Sequence, residues 1–203
     1  MIKNIVFDMG GVLIDYDSDA VLNKYFDPCY HDILNQKIFK SNVWARLDEG
    51  TVFVDDILEE TVEGLPDEVK GLASEMLYDF YPYMPPFDDM FEFVKKVKAS
   101  GYKIYLLSNA TPRFFDRYND IPALSLFDGF FISSLYKLLK PDQKIYAAFC
   151  NKFAVKAEEC FFIDDVPRNI DGAVKYGMKG FVYKKHDICG LEKALADVGV
   201  IIK

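Results

Sequence analysis

The feature of the sequence that most limits its fold is a series of short, wholly apolar runs. No polar residue alternates within these runs, which favours strands buried on both faces, as in a parallel sheet covered by helices. Apolar residues with helical spacing separate the later runs, for example in residues 87–97 and 170–174. Alternating strands and helices predict an α/β fold with a doubly wound, Rossmann-like parallel sheet. The runs are residues 5–7, 104–107, 161–163 and 181–183, with a weaker one at 130–132.

The connection between the first two strands is too long for an ordinary crossover. About 95 residues separate Asp8 from Lys103, whereas a crossover needs roughly a dozen. A compact domain rarely contains an unstructured loop of that length, and the stretch has four groups of apolar residues with helical spacing. We therefore predict a small helical domain at residues 16–84, inserted into an α/β core domain made of residues 1–15 and 85–203.

The charge balance excludes some partners. The chain has 24 Lys and Arg against 32 Asp and Glu, a net charge of −8, which argues against electrostatic binding to nucleic acid or to an anionic membrane. The four cysteines lack CxxC spacing, and no run of 18 apolar residues or signal-peptide core is present. These features predict free thiols in a cytoplasmic protein. They do not indicate an oligomeric state.

Polar side chains follow the predicted strands at their carboxyl ends. Asp8 follows the first run, Ser108 and Asn109 follow the second, and Asp164 and Asp165 follow a later one. Ligands of such sheets bind beyond the carboxyl ends of the strands. Carboxylates gathered there repel one another unless a cation lies between them, and oxygen ligands suit Mg²⁺. The sequence therefore predicts a magnesium site at this edge.

A lysine adds a fixed positive charge to the same predicted edge. Lys140 precedes Pro141, which we predict to stand in the first turn of a helix. Each residue also has a purely structural interpretation: Asp8 in a turn, Asp165 or Asn109 as a helix cap, and Lys140 as a solvated side chain. Their joint occurrence in the order Asp, Ser, Lys, Asp-Asp favours a functional site.

Four segments resemble the motifs of a known superfamily. The segments IVFDMGGVLID, LLSNAT, KLLKPDQKIY and FFIDDVPRNIDGA are similar to the four motifs of the haloacid dehalogenase-like (HAD) hydrolases. The resemblance covers the whole chain and is to the branch with a helical cap inserted after the first strand. More narrowly, the start resembles bacterial sugar-phosphate phosphatase-like members that share FDxG. It implies a Mg²⁺-dependent phosphatase that acts on a small phosphorylated metabolite, with a sugar phosphate favoured.

The resemblance also implies roles for particular residues. Asp8 is the implied nucleophile, forming an aspartyl-phosphate. The implied metal ligands are Asp8, the backbone carbonyl of Gly10, Asp164 and Asp165. The residues implied to bind the phosphoryl group are Ser108, Asn109 and Lys140, the last also with a catalytic role. Which of the two adjacent aspartates touches the metal, and which orients the lysine, is left open at this stage.

The chain departs from the superfamily pattern at one position. Phosphatases of the superfamily have D-x-D, in which the second Asp is the general acid and base, but this chain has Gly10 there. General acid–base catalysis contributes roughly 10²–10⁴-fold, so either another group replaces it or the leaving group is undemanding, as in a sugar 1-phosphate or an acyl phosphate. Asp15, Asp17 and Asp19 are candidates, although helix capping is the alternative role for the last two.

The run WARLDEG in the predicted insert carries further candidates. Trp44 and Arg46 are predicted to contact the leaving group and close over it. The alternative is a tryptophan in the core of the small domain beside solvated charges. Two other functions are also consistent with the chain. One is a 2-haloacid dehalogenase, in which the same nucleophile attacks carbon without a metal, and the other is a catalytically silent phosphometabolite-binding protein of the same fold.

Overall fold

The computed structural model describes residues 1–203, and five parallel strands form a single sheet. The strand order is β3-β2-β1-β4-β5, with β1 in the middle. This confirms the predicted α/β fold and all five strands. The last strand begins two residues earlier than predicted. The strands are β1 (Asn4–Phe7), β2 (Lys103–Ser108), β3 (Gly129–Ile132), β4 (Cys160–Asp164) and β5 (Lys179–Val182).

The segment between β1 and β2 is helical, as its spacing predicts. Its helices are α1 (Ser18–Tyr25), α2 (His31–Leu34), α3 (Val43–Glu49), α4 (Val54–Val62) and α5 (Asp67–Tyr78), with a π-helical turn at Asn35–Phe39 and 3₁₀ turns at Pro28–Tyr30 and Tyr81–Tyr83. We call residues 16–84 the cap. Buried cap residues such as Leu34 and Met76 belong to the same hydrophobic cluster as Ile5 of the sheet. The cap therefore packs directly on the core, and its status as a separate domain stays a prediction.

Helices cover both faces of the sheet because alternate strand residues point to opposite sides. Ile5 and Phe7 join a cluster with the cap and α6 (Asp88–Ala99) on one face. Val6 joins a second cluster with α8 (Gln143–Phe153) and α9 (Pro167–Tyr176) on the other. Burial on both faces explains why the strands are uniformly apolar. The remaining helices are α7 (Phe114–Arg117) and α10 (Ile188–Asp197).

The start of α8 differs from the prediction. Pro141 was predicted in the first turn, but the helix begins at Gln143, and this prediction is wrong. The reason is that the Asp142 side chain accepts a hydrogen bond of 2.9 Å from the Lys144 amide and caps the helix. Lys140 therefore lies in the loop before α8, and the geometry of that helix does not orient its side chain.

Two further findings concern the whole chain. All four cysteines are free, as their spacing predicts. No helix combines the length and apolar character that crossing a lipid bilayer requires.

Candidate active site

The polar strand ends meet where the strand order reverses. From β1 the chain runs first to β2 and β3 on one side and then returns to β4 and β5 on the other. The Asp8 amide donates a hydrogen bond of 2.8 Å to the Ile163 carbonyl, which fixes the end of β1 beside the end of β4. Open α/β sheets bind ligands at this topological switch point.

Three carboxylates and one lysine form the centre of the site. Oxygen atoms of Asp8, Asp164 and Asp165 lie within 4.8 Å of one another. Lys140 Nζ lies 2.8 Å from Asp8 Oδ1 and 2.7 Å from Asp164 Oδ2. The lysine side chain is only 1% exposed and that of Asp164 is fully buried, so these charges interact with little screening by solvent. The structure thus brings together four residues that lie far apart in the sequence.

Burial and mutual repulsion of the carboxylates shift the pKa values of the site. Burial, together with the charges of Asp164 and Asp165, raises the pKa of Asp8 to about 7 against the opposing charge of Lys140. Burial followed by the charge of Asp164 also raises the pKa of Asp165. Burial disfavours the charge on Lys140, but Asp164 and Asp8 outweigh it and raise the lysine's pKa.

The two adjacent aspartates have different surroundings. Asp164 Oδ1 accepts hydrogen bonds from the Val166 amide at 2.8 Å and from Asn169 Nδ2 at 3.0 Å, while its Oδ2 accepts from Lys140 Nζ and, at 3.1 Å, from Asn169 Nδ2. Both oxygens of Asp164 are thus engaged by the protein. Asp165 is less buried and faces the cavity described below.

A glycine in the turn after β1 allows Asp165 to approach. Gly11 has φ +68°, and a Cβ there would lie 2.3 Å from Asp165 Oδ2. Any larger residue would both strain the backbone and displace the carboxylate. Packing therefore requires a glycine at position 11, the second residue of the Gly10-Gly11 pair in the first motif.

The two polar residues at the end of β2, Ser108 and Asn109, both line the cavity, and Ser108 is buried. Asn109 accepts a hydrogen bond of 2.9 Å from the Lys140 amide at Oδ1 and donates one of 3.3 Å from Nδ2 to the Lys140 carbonyl. The asparagine side chain therefore holds the backbone that carries the buried lysine.

A cavity of about 460 Å³ opens above the site, between the strand ends and the cap. Its cap side is mainly apolar and aromatic. Trp44 lines it with its ring centroid 5.3 Å from that of Phe80, and its buried Nε1 has no hydrogen-bond partner. Arg46 does not line the cavity, because α3 turns Trp44, Leu47 and Asp48 toward it instead.

The sequence candidates for the missing acid have other contacts. Asp17 caps α1 by accepting the Ala20 amide at 2.9 Å, and Asp15 Oδ2 lies 2.6 Å from Lys185 Nζ. Neither of them, nor Asp19, lines the cavity.

Sequence reasoning missed the other charged and amide residues of the cavity lining, namely Asp48, Asp55, Arg113, Arg168 and Asn169. Asp48 stands in the run WARLDEG that was singled out for Trp44 and Arg46. Burial raises its pKa to about 7, against the opposing charge of Lys140. The spacing of α3 could have indicated that Trp44 and Asp48, four residues apart, share a helix face.

Comparisons with known proteins agree with this architecture. The chain is 27% identical over 160 residues to flavin mononucleotide hydrolase 1 of Arabidopsis thaliana, which covers 78% of this chain and 62% of that protein. It is 25% identical to a D-ribitol-5-phosphate phosphatase of Bacteroides thetaiotaomicron, over 89% of this chain and 91% of the relative. This chain therefore spans less than two thirds of the plant protein.

A solved structure shares the fold. A HAD family enzyme from Bacteroides thetaiotaomicron, in complex with magnesium and inorganic phosphate, superposes with a TM-score of 0.71 at 21% identity, covering 94% of this chain and 99% of that one. The family model described as haloacid dehalogenase-like hydrolase matches residues 2–177. With the motifs placed at one strand edge and most of its length matched, the chain belongs to the haloacid dehalogenase-like hydrolase family.

Proposed function

We propose that this chain is a Mg²⁺-dependent phosphatase that hydrolyses a small phosphorylated metabolite through an aspartyl-phosphate on Asp8. The observation that carries the proposal is the buried Lys140 shared between Asp8 and Asp164, with the less buried Asp165 beside them. The phosphatase relative supports the reaction class. Four free cysteines fit the reducing cytoplasm as its location.

The donor set fits a magnesium ion. One lysine against three carboxylates leaves two negative charges without compensation, and all the available ligands are oxygens, which Mg²⁺ prefers. Because the oxygens of Asp164 are engaged by protein donors, we assign Asp8, Asp165 and the Gly10 carbonyl as ligands, with Asp164 orienting Lys140. When bound, the ion offsets the repulsion between the attacking carboxylate and an anionic phosphate.

The reaction proceeds in two displacements on phosphorus. A carboxylate oxygen of Asp8 attacks the phosphorus, and the bond to the leaving oxygen breaks to give the aspartyl-phosphate. Water then attacks the same phosphorus, releasing phosphate and restoring Asp8. Lys140 and Ser108 stabilise the negative charge on the phosphoryl oxygens. Asn109 keeps Lys140 in place through the two hydrogen bonds to its backbone.

A phosphate-release screen tests the proposal. Purified protein is incubated with Mg²⁺ or with chelator and a panel that includes sugar 1-phosphates, D-ribitol 5-phosphate, flavin mononucleotide and acyl phosphates. The two named relatives make the ribitol phosphate and the flavin mononucleotide the first to examine, because both carry a phosphate on a ribityl chain. We expect release with Mg²⁺ only. No release from any member would leave the silent binding protein as the better interpretation.

The dehalogenase alternative is less well supported by the site. A 2-haloacid dehalogenase works without a metal, whereas the clustered Asp8, Asp164 and Asp165 leave two negative charges beyond the one that Lys140 offsets. A 2-haloacid substrate gains nothing from a carboxylate cluster that needs a divalent cation. Halide release from 2-chloropropionate in the presence of chelator would reverse this ranking.

Metal binding should change how stability depends on pH. The raised pKa values of Asp8 and Asp48 mean that the folded protein holds protons that the unfolded chain releases above about pH 4. Without metal, stability should therefore fall as pH rises from about 4 to 7, by at most about 1.4 kcal/mol per pH unit for each group. Mg²⁺ should raise the melting temperature more at pH 8 than at pH 5.5. Equal shifts at the two pH values would contradict a metal bound by Asp8.

A pair of variants tests the cap residues. Trp44→Phe keeps the ring packing on Phe80 but removes the unpartnered N–H, which we expect to donate to the substrate. The loss of one hydrogen bond to the substrate should raise KM about 3- to 10-fold. The kcat should change little. Arg46→Gln is the matched variant on the same helix and should change neither constant, since Arg46 is not in the cavity wall. Steady-state kinetics on the best substrate of the screen separates the two.

A further inference from the structure

The turn after β1 cannot supply the acid that a phosphatase of this family pattern carries. Position 10 is glycine, and Tyr16 crowds the space beside it, since a Cβ at that position would lie 3.3 Å from the Tyr16 Cβ. Any proton for the leaving group must therefore come from another part of the cavity wall.

Asp48 and Asp55 are the two cap carboxyls that line this cavity. Asp55 is exposed and accepts a hydrogen bond from the Tyr78 hydroxyl, so Asp48 is the candidate for the acid. It lies in the last turn of α3 and shares the cavity lining with Asp8 and Lys140. Two residues later Gly50 ends the helix at φ +71°, and a Cβ there would lie 2.3 Å from the Ser134 carbonyl oxygen. The glycine thus lets the end of α3 lie flat against the core, next to β3.

A single hydroxyl fixes Asp48 relative to the phosphate-binding residues. Ser133 Oγ donates a hydrogen bond to the Asp48 carbonyl and accepts one of 2.9 Å from the Ala110 amide. Ala110 directly follows Ser108 and Asn109. The end of α3 and the loop after β2 are therefore held by the same side chain, which fixes the backbone that carries Asp48 beside the phosphate-binding loop.

The electrostatic surroundings keep a proton available on Asp48. Burial raises the pKa of its carboxyl to about 7, and Lys140 is the charge that opposes this. Burial and the charge of Asp48 raise the pKa of Tyr16 to about 12 and also raise the pKa of Tyr81. The hydroxyls of Tyr16 and Tyr81 therefore stay protonated at neutral pH. The Asp48 carboxyl, with its pKa near neutral pH, is better matched to proton transfer.

We propose that Asp48 is the general acid and base of the reaction, resting on the phosphatase function proposed above. In the first displacement, the Asp48 carboxyl gives its proton to the leaving oxygen as the bond from phosphorus to that oxygen breaks, and the product departs as an alcohol. In the second, the Asp48 carboxylate takes a proton from the water that attacks the aspartyl-phosphate. Asp8 is released unprotonated, and Asp48 ends the cycle as it began.

The test compares leaving groups that differ in their need for a proton. Asp48→Asn is assayed with Mg²⁺ on D-ribitol 5-phosphate, which leaves as an alcohol, and on p-nitrophenyl phosphate, which leaves as a stable anion. We expect kcat/KM to fall about 10²-fold or more for the first and less than about 10-fold for the second. On p-nitrophenyl phosphate the variant should also give a burst of nitrophenolate, because the slow second step still needs the base.

Controls make each outcome decisive. Glu49→Gln, the neighbouring residue outside the cavity lining, should match the wild type on both substrates. Equal losses of kcat/KM on the two substrates without a burst, or no loss at all, would overturn the role of Asp48. If the wild type hydrolyses only p-nitrophenyl phosphate, the burst alone decides. If the wild type hydrolyses another alcohol phosphate of the screen, that compound replaces D-ribitol 5-phosphate, and if it hydrolyses no compound at all, it is the proposed function that fails.

Discussion

Asp8→Asn is expected to abolish phosphate release, by at least about 10⁴-fold in kcat, because no other group can accept the phosphoryl. The amide has nearly the shape of the carboxylate, so the cavity should be unchanged. The variant should be at least as stable as the wild type without metal at pH 8, since burial already disfavours the charged form of Asp8. Phosphate release and thermal melting measure the two effects separately.

Asp15→Asn is the matched control for this variant. Asp15 follows the same strand, but it pairs with Lys185 and does not line the cavity. It should retain full activity. Turnover by Asp8→Asn within about 10-fold of the wild type would refute the nucleophile assignment.

Lys140→Met is expected to damage both stability and activity. The substitution keeps an unbranched side chain but leaves Asp8 and Asp164 buried without their cation, a change that costs about 3–5 kcal/mol in comparable buried pairs. Removing the charge that lowers the pKa of Asp8 raises that pKa further. The loss of stability should therefore be large at pH 8 and smaller at pH 5.5, where the carboxyls take up protons. Turnover should fall about 10²–10³-fold because the phosphoryl oxygens lose their donor.

Lys185→Met provides the comparison for stability. Lys185 is also paired with an aspartate, at 2.6 Å, but its side chain is 46% exposed. An exposed pair contributes about 0–1 kcal/mol, so this variant should melt close to the wild type at both pH values. Denaturant unfolding of the two variants at pH 5.5 and 8 gives the comparison. Similar losses for both would mean that burial of the Lys140 pair has no energetic consequence.

The strands and most of the cap helices could be predicted because each leaves a pattern of apolar residues within its own short segment. Strands buried on both faces must be apolar throughout, and residues 5–7 and 161–163 show this without any knowledge of the fold. The helix α3 could not be predicted in the same way, since it is two turns long and only Val43 and Leu47 repeat on its buried side. The predicted start of α8 was wrong by two residues, because Asp142 caps the helix and Pro141 stands before it.

The site was predictable to the extent that it lies at strand ends. Asp8 and Asp165 meet because parallel strands place their carboxyl ends at one edge, which the order of motifs already implied. The division of labour between Asp164 and Asp165 required the contacts of Asn169, which lies five residues beyond Asp164 on α9. The approach of Asp48 depended on how the cap packs on Ser133 and Ser134, a long-range contact that no spacing encodes.

Acid quench during turnover tests the central claim most directly. Wild-type protein is mixed with Mg²⁺ and its best substrate, stopped in acid within the first turnovers, digested and examined by mass spectrometry. We predict that the peptide carrying Asp8 gains the mass of one phosphoryl group, and that the gain is absent in Asp8→Asn. Rapid phosphate release with Asp8 never modified, or a phosphoryl group found on another residue, would contradict the account.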